Sequence, residues 1–157
     1  MKIINFYKLF SSENSLSAMA LICNKIFESG EKVVIYLETE EETKTLDERL
    51  WSFSQSEFIP HMTETSEEFS EFQDEVPILL SNNFENIIKA ENLIILKRTE
   101  SLKGFEKFNK IFFLFEGEDA ESLKKAREFW KQISSLKSDF QAKFYEQSEE
   151  KKWSLKA

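Results

Sequence analysis

The feature that most constrains this chain is a strand–helix–strand alternation at its N-terminus. Residues 2–9 (KIINFYKL) have the apolar and aromatic content of a strand, and residues 15–29 place Leu16, Met19, Ala20, Cys23, Ile26 and Phe27 at helical spacing. Gly30 follows, where a helix commonly ends in a left-handed residue. Residues 32–37 (KVVIYL) are a short apolar run of the kind that forms a strand buried on both faces. Two such strands joined by a helix favour parallel pairing through a right-handed crossover.

The alternation continues along the chain. Residues 40–51 predict a second helix, with Leu46 and Leu50 four apart on one face and glutamates in the first turn, where the positive end of the helix dipole favours them. Pro60 stops any continuation, and residues 62–75 (MTETSEEFSEFQDE) predict an acidic loop. Strands are expected at 76–80, 93–96 and 110–115, a helix at 119–135 capped by Asp119, a strand at 140–145 and another around Trp153 and Leu155. Elements alternating in this way point to an α/β fold, a sheet covered by helices on both faces. A length of 157 residues suits one domain, with 16 phenylalanines to fill its core without a disulfide or a metal.

Several chemistries have no support. The first strand-to-helix turn, SSENSLS, lacks the glycines that let a backbone approach phosphate, and Gly30, Gly104 and Gly117 are scattered singly. His61 is the sole histidine and Cys23 the sole cysteine, too few for a typical zinc set or a nucleophile–base pair at diagnostic spacing. Cys23 is expected in the core, and His61 as a hydrogen-bonding residue beside the Pro60 turn. The glutamate runs Glu40–Glu42 and Glu67–Glu68 are expected as solvated faces. No cofactor or metal site is expected. No run is long and apolar enough to span a membrane, and the opening MKIINFYKLF is too short in apolar residues for a signal peptide, so the expected location is the cytoplasm.

Charge is unevenly placed. The chain carries a net charge of -8, which disfavours bulk binding to DNA, yet residues 122–157 hold nine basic and five acidic side chains. The positive C-terminal quarter suits an anionic partner that the rest of the chain would repel. It contains the helix ESLKKAREFWKQI, in which Leu123, Ala126, Trp130 and Ile133 form an apolar face and Lys124, Arg127 and Lys131 a basic stripe beside it. Arg127 and Trp130 meet at the seam. Such a border fits a short acidic peptide with an apolar end, although an ordinary amphipathic helix with solvated charges has the same pattern. The segments LDERLW and FIPH bring Trp51 and Phe58 near one helix end; periodicity alone favours a core position for both rings.

The order of these pieces, NFYKL, LDERLW, FIPH, VPILL, FNKIFFLFEGED, AREFWK and KFYEQSEEKKW, resembles the chi subunit family of the bacterial DNA polymerase III clamp loader over nearly the whole chain. The resemblance implies a Rossmann-like three-layer sandwich with a mainly parallel sheet, no catalytic activity, and an adaptor role. It implies that Lys124, Arg127, Trp130 and Lys131 bind the acidic, Phe-ended C-terminal tail of single-stranded DNA-binding protein. It also implies that Trp51, Phe58, Pro60 and His61 face the psi subunit or another clamp-loader component. The expected assembly pairs this chain one to one with a different chain rather than with itself, and reaches DNA only indirectly. The loop after His61, often small and glycine-containing in such proteins, is here long in Glu and Ser. The competing readings are a direct binder of single-stranded DNA, because rings beside Lys and Arg also suit stacked bases, and a small nucleotide-dependent α/β enzyme.

Overall fold

The computed structural model describes residues 2–10, 15–52, 61–63, 71, 75–82, 85–96, 107–117, 119–135, 140–150 and 152–156. Its elements run β1 (Lys2–Leu9), α1 (Ser15–Glu28), β2 (Val33–Tyr36), α2 (Glu40–Ser52), β3 (Met62–Thr63), β4 (Ile78–Ser81), β5 (Asn92–Leu96), β6 (Lys110–Glu116), α3 (Ala120–Ser135), β7 (Phe140–Gln147) and β8 (Trp153–Leu155). All eight strands form one sheet in the order β3-β4-β2-β5-β6-β1-β7-β8. Every pairing is parallel except that of β7 with β8.

The α/β sandwich expected from the sequence is present, with two differences. β1 and β2 run parallel as expected but are not neighbours, because β5 and β6 lie between them. β1 instead pairs with the two late strands, Phe6 standing between Phe113 on β6 and Phe144 on β7. The expected acidic loop also begins with a short strand, β3, in which Met62 pairs with Leu79.

Alternation along the strands divides the core between the two faces of the sheet. Ile4, Phe6, Leu93, Ile95, Ile111, Phe113 and Phe115 point to one side and pack against Ala126 and Phe129 of α3. Val33, Ile35, Ile78, Leu80, Ile94 and Leu114 point to the other, against Met19, Cys23 and Ile26 of α1 and Leu46 and Leu50 of α2. Cys23 is buried as expected, and burial pushes its thiol up to about 12. At neutral pH it is a small apolar side chain rather than a nucleophile.

Local signals set the helix boundaries. The Gly30 N–H donates to the Phe27 carbonyl at 3.0 Å from a left-handed conformation, φ +85°, which favours glycine. Thr39 caps α2, its hydroxyl accepting from the Glu42 N–H at 3.1 Å. Asp119 caps α3 by accepting from the Glu121 N–H at 3.1 Å and from the Ser122 hydroxyl at 2.8 Å, as expected.

Because Phe113 is 1% exposed and lies 4.9 Å from Phe129 and 5.6 Å from Phe6 between ring centroids, Phe113→Ala should destabilise the chain by about 3–5 kcal/mol. Urea unfolding followed by circular dichroism measures this, and a loss below about 1 kcal/mol would contradict the described packing.

Candidate partner-binding site

α3 connects β6 to β7, which flank β1, so the helix must cross over β1 to make that connection. Phe6 lies beneath the crossing. Its ring centroid is 5.5 Å from Phe129 in an edge-on contact and 5.0 Å from Trp130 in a tilted one. Trp130 in turn meets Phe144 edge-on at 6.5 Å, and Phe144 lies 6.0 Å from Phe115. Mixed tilted and edge-on rings are the arrangement that aromatic quadrupoles favour.

The rings leave a cleft of about 350 Å³ lined by Phe6, Lys8, Phe115, Leu123, Ala126, Arg127, Trp130 and Phe144. Its floor is aromatic and its rim carries two cations from different elements. Arg127 is exposed on α3, and Lys8 rises from the end of β1. Lys8 is cross-strand from Glu146 and approaches it at 3.8 Å, a contact between partly exposed groups. A Cβ at Gly117 would meet the flexible side chain of Lys8, which would have to shift to admit it.

Of the four α3 residues singled out from the sequence, Arg127 and Trp130 line the cleft. Lys124 and Lys131 are exposed on the same helix, outside its described lining. One difference concerns the apolar face: Phe129, not expected there, is buried at 3% exposure and meets Phe6 and Phe113 of the sheet, beside the contacts of Trp130 with Phe6 and Phe144. The side chain of Ile133 lies outside the described residues. Lys8 was not legible as a site residue, because a lone lysine in a strand carries no signal until the strand order places it beside α3.

A second constellation sits at the end of α2, on the opposite face of the sheet. Leu46 and Leu50 are buried, at 0% and 1% exposure, whereas Trp51 is 56% exposed. The core position that periodicity favours for Trp51 is therefore overturned: one step beyond Leu50 turns the ring about 100° away from the core. His61 lies against it, edge-on at 5.0 Å between ring centroids, and its Nε2 is 2.7 Å from Asp47 Oδ1. The imidazole is fully buried between them. The spacing of LDERLW follows from this geometry, since Leu46 and Leu50 anchor the helix while Asp47 and Trp51, also four apart, hold His61. The local hydrogen-bonding role expected for His61 is present. Phe58 and Pro60 lie outside the described residues.

Among the described residues no group of three His, Cys, Asp or Glu side chains is arranged to hold a metal. No described helix is long and apolar enough to cross a membrane.

Comparison with solved structures places the fold among α/β sandwiches. The C-terminal domain of the DEAD-box protein Dbp5 superposes with a TM-score of 0.63 over 91% of this chain and 90% of that one. The corresponding S. cerevisiae domain in a complex with Gle1 and IP6 gives 0.59 over 88% of each chain. Both are 8% identical in sequence, so the likeness is one of fold alone. Sequence comparison is more specific. The chain is 32% identical over 136 residues to DNA polymerase III subunit chi of Haemophilus influenzae, an alignment covering 84% of this chain and 90% of that protein. The profile described as DNA polymerase III chi subunit, HolC, matches residues 1–141. The chain belongs to the family of DNA polymerase III chi subunits.

Proposed function

We propose that this chain is a non-catalytic adaptor of the replicase, gripping the acidic, Phe-ended C-terminal tail of single-stranded DNA-binding protein in the α3 cleft while a clamp-loader component, psi or its substitute, docks at Trp51. The observation that carries the reading is the cleft itself: an aromatic floor rimmed by Arg127 and Lys8. A terminal Phe ring seats against Trp130 and Phe144, and the Arg127 fork takes the adjoining carboxylate. Lys124 and Lys131 extend the positive stripe towards acidic residues further along the tail. Seating on opposite faces of the sheet lets both partners bind at once, which an adaptor requires. Direct binding of single-stranded DNA is the alternative, and the net charge of -8 weighs against it.

Burying the Phe contributes about 1.5–3 kcal/mol and each charge-assisted hydrogen bond about 1.5–3 kcal/mol, before the cost of ordering the tail. Those magnitudes give reversible, micromolar binding. Arg127→Ala should weaken a synthetic tail peptide about tenfold or more, equivalent to about 1.4 kcal/mol, with the melting temperature unchanged because the side chain is exposed. Calorimetry decides it: unchanged affinity removes α3 from the site. Added salt should weaken the wild-type interaction, since the rim charges are exposed.

Glu146 gives an opposite-signed test. It places a carboxylate beside Lys8 at the rim, where it repels an acidic tail and holds the ammonium. Glu146→Gln should therefore tighten tail binding, and Lys8→Glu should weaken it, in the same calorimetric titration.

Trp51→Ala should leave tail binding intact and abolish association with psi or its substitute, read by co-elution of the reconstituted subunits. A Trp51→Ala chain that still co-elutes would move the second partner elsewhere. Its side chain is more than half exposed, so the fold should survive.

A further inference from the structure

A larger cleft, about 640 Å³, lies between α1 and the β1, β6, β7 and β8 half of the sheet, on the face opposite the α3 cleft. On this face α1 packs over β2, β5 and β6, and α2 over β3 and β4. No described helix covers β7 and β8 there. Parallel strands are ordinarily buried on both faces, yet Tyr7, Phe112, Tyr145 and Trp153 line an open surface. Leu21 on α1 is 47% exposed in its wall, and Leu155, cross-strand from Tyr145, is 60% exposed.

Aromatic rings near lysines suggest stacked bases first, but the ring geometry disfavours them. Tyr7 is stacked against Phe112 on one side, 6.1 Å away at 20°, and against Tyr145 on the other, 5.0 Å away at 11°. Trp153 meets it edge-on at 4.9 Å. Both Tyr7 faces are therefore occupied by neighbouring rings, and the surface offers a ridged row of ring edges beside Leu21 and Ile22. Such relief accepts the branched side chains of a helix better than flat bases.

Charge narrows the partner. Lys25 and Lys110 line the cleft, and Lys143 shares its face of the sheet by register with Asn5. None of the three forms an ion pair among the described residues. Arg49 adds a fourth cation nearby, its Nη1 donating to Ser17 Oγ at 3.2 Å. The acid in the lining, Glu31, is engaged by the Asn92 amide at 2.9 Å. In a chain of net charge -8, this rim is locally cationic.

We propose that the cleft docks an acidic amphipathic helix of a protein partner, its apolar side chains against Leu21, Ile22, Tyr145 and Trp153 and its carboxylates towards Lys25, Lys110 and Lys143. The site is separate from the α3 cleft and does not depend on the tail reading. The test titrates the full chain with a synthetic helix bearing leucines at i, i+3, i+4 and i+7 and glutamates elsewhere. The same helix with lysines replacing the glutamates, and an oligo-dT strand, are the comparison probes. The acidic helix should bind; Leu21→Asp, and separately Lys25→Glu combined with Lys110→Glu, should each weaken it about tenfold or more, with melting temperatures unchanged. Arg127→Ala should bind it as the wild type does. The proposal is overturned if the acidic helix does not bind, if the lysine helix binds equally well, or if neither set of substitutions weakens binding. Oligo-dT binding lost through the same substitutions would assign the surface to nucleic acid instead.

Discussion

The packing of Phe6 beneath α3 is the contact on which the arrangement of the α3 cleft depends. Its strand is central in the sheet, between β6 and β7, and the helix that links those two must pass over it. A ring at that crossing fixes the height of α3 through Phe129 and its rotation through Trp130. Once the helix is seated, Arg127 is delivered to the rim three residues before Trp130, and Lys8, two residues after Phe6 on the same face of β1, arrives opposite it. Two cations distant in sequence are thus brought to one rim by the strand order and the crossover together.

Much of this was legible in the sequence, and the reasons differ by element. The buried strands β2, β4 and β6 announce themselves because parallel strands covered on both faces are continuous apolar runs. The cap at Asp119 and the stop at Gly30 follow from local hydrogen bonding and from a positive φ, which depend on few neighbours. The basic and apolar stripes of α3 were likewise visible at helical spacing, since both belong to one element. Strand order was not legible: nothing local in KIINFYKL says that its partners are the sixth and seventh strands rather than the second. Lys8 was missed for that reason. Trp51 was misjudged from periodicity because its ring lies one position beyond Leu50, at the edge of the apolar stripe, where a step of one residue decides between core and surface. Its contact with His61 spans ten positions and needs the return of the chain after α2.

The two faces of the sheet treat their aromatic residues differently. Under α3 the rings are tilted and edge-on and close around a small cleft. On the α1 side Tyr7 is stacked nearly flat with Tyr145, because both rise from adjacent parallel strands at the same register. Burial and the neighbouring Tyr145 push the Tyr7 hydroxyl up to about 12, so it stays neutral across the physiological range. One face therefore presents a small aromatic pocket and the other a wider cleft lined by a row of stacked rings, from strands that supply both through simple alternation.

The central place of β1 also bears on how the chain acquires its structure during synthesis. Its partners begin at Lys110 and Phe140, more than 100 residues after β1 itself. The strand is synthesised well before either partner, and its second neighbour does not exist until β7 has been made. Pairings so distant in sequence carry a large loop-closure cost and slow the search for the native topology. Until β7 emerges, KIINFYKL is an apolar strand with an unsatisfied edge, the kind of segment that chaperones shield and that aggregates when they do not. The β6-β1-β7 part of the sheet therefore cannot be completed until β7 has been made.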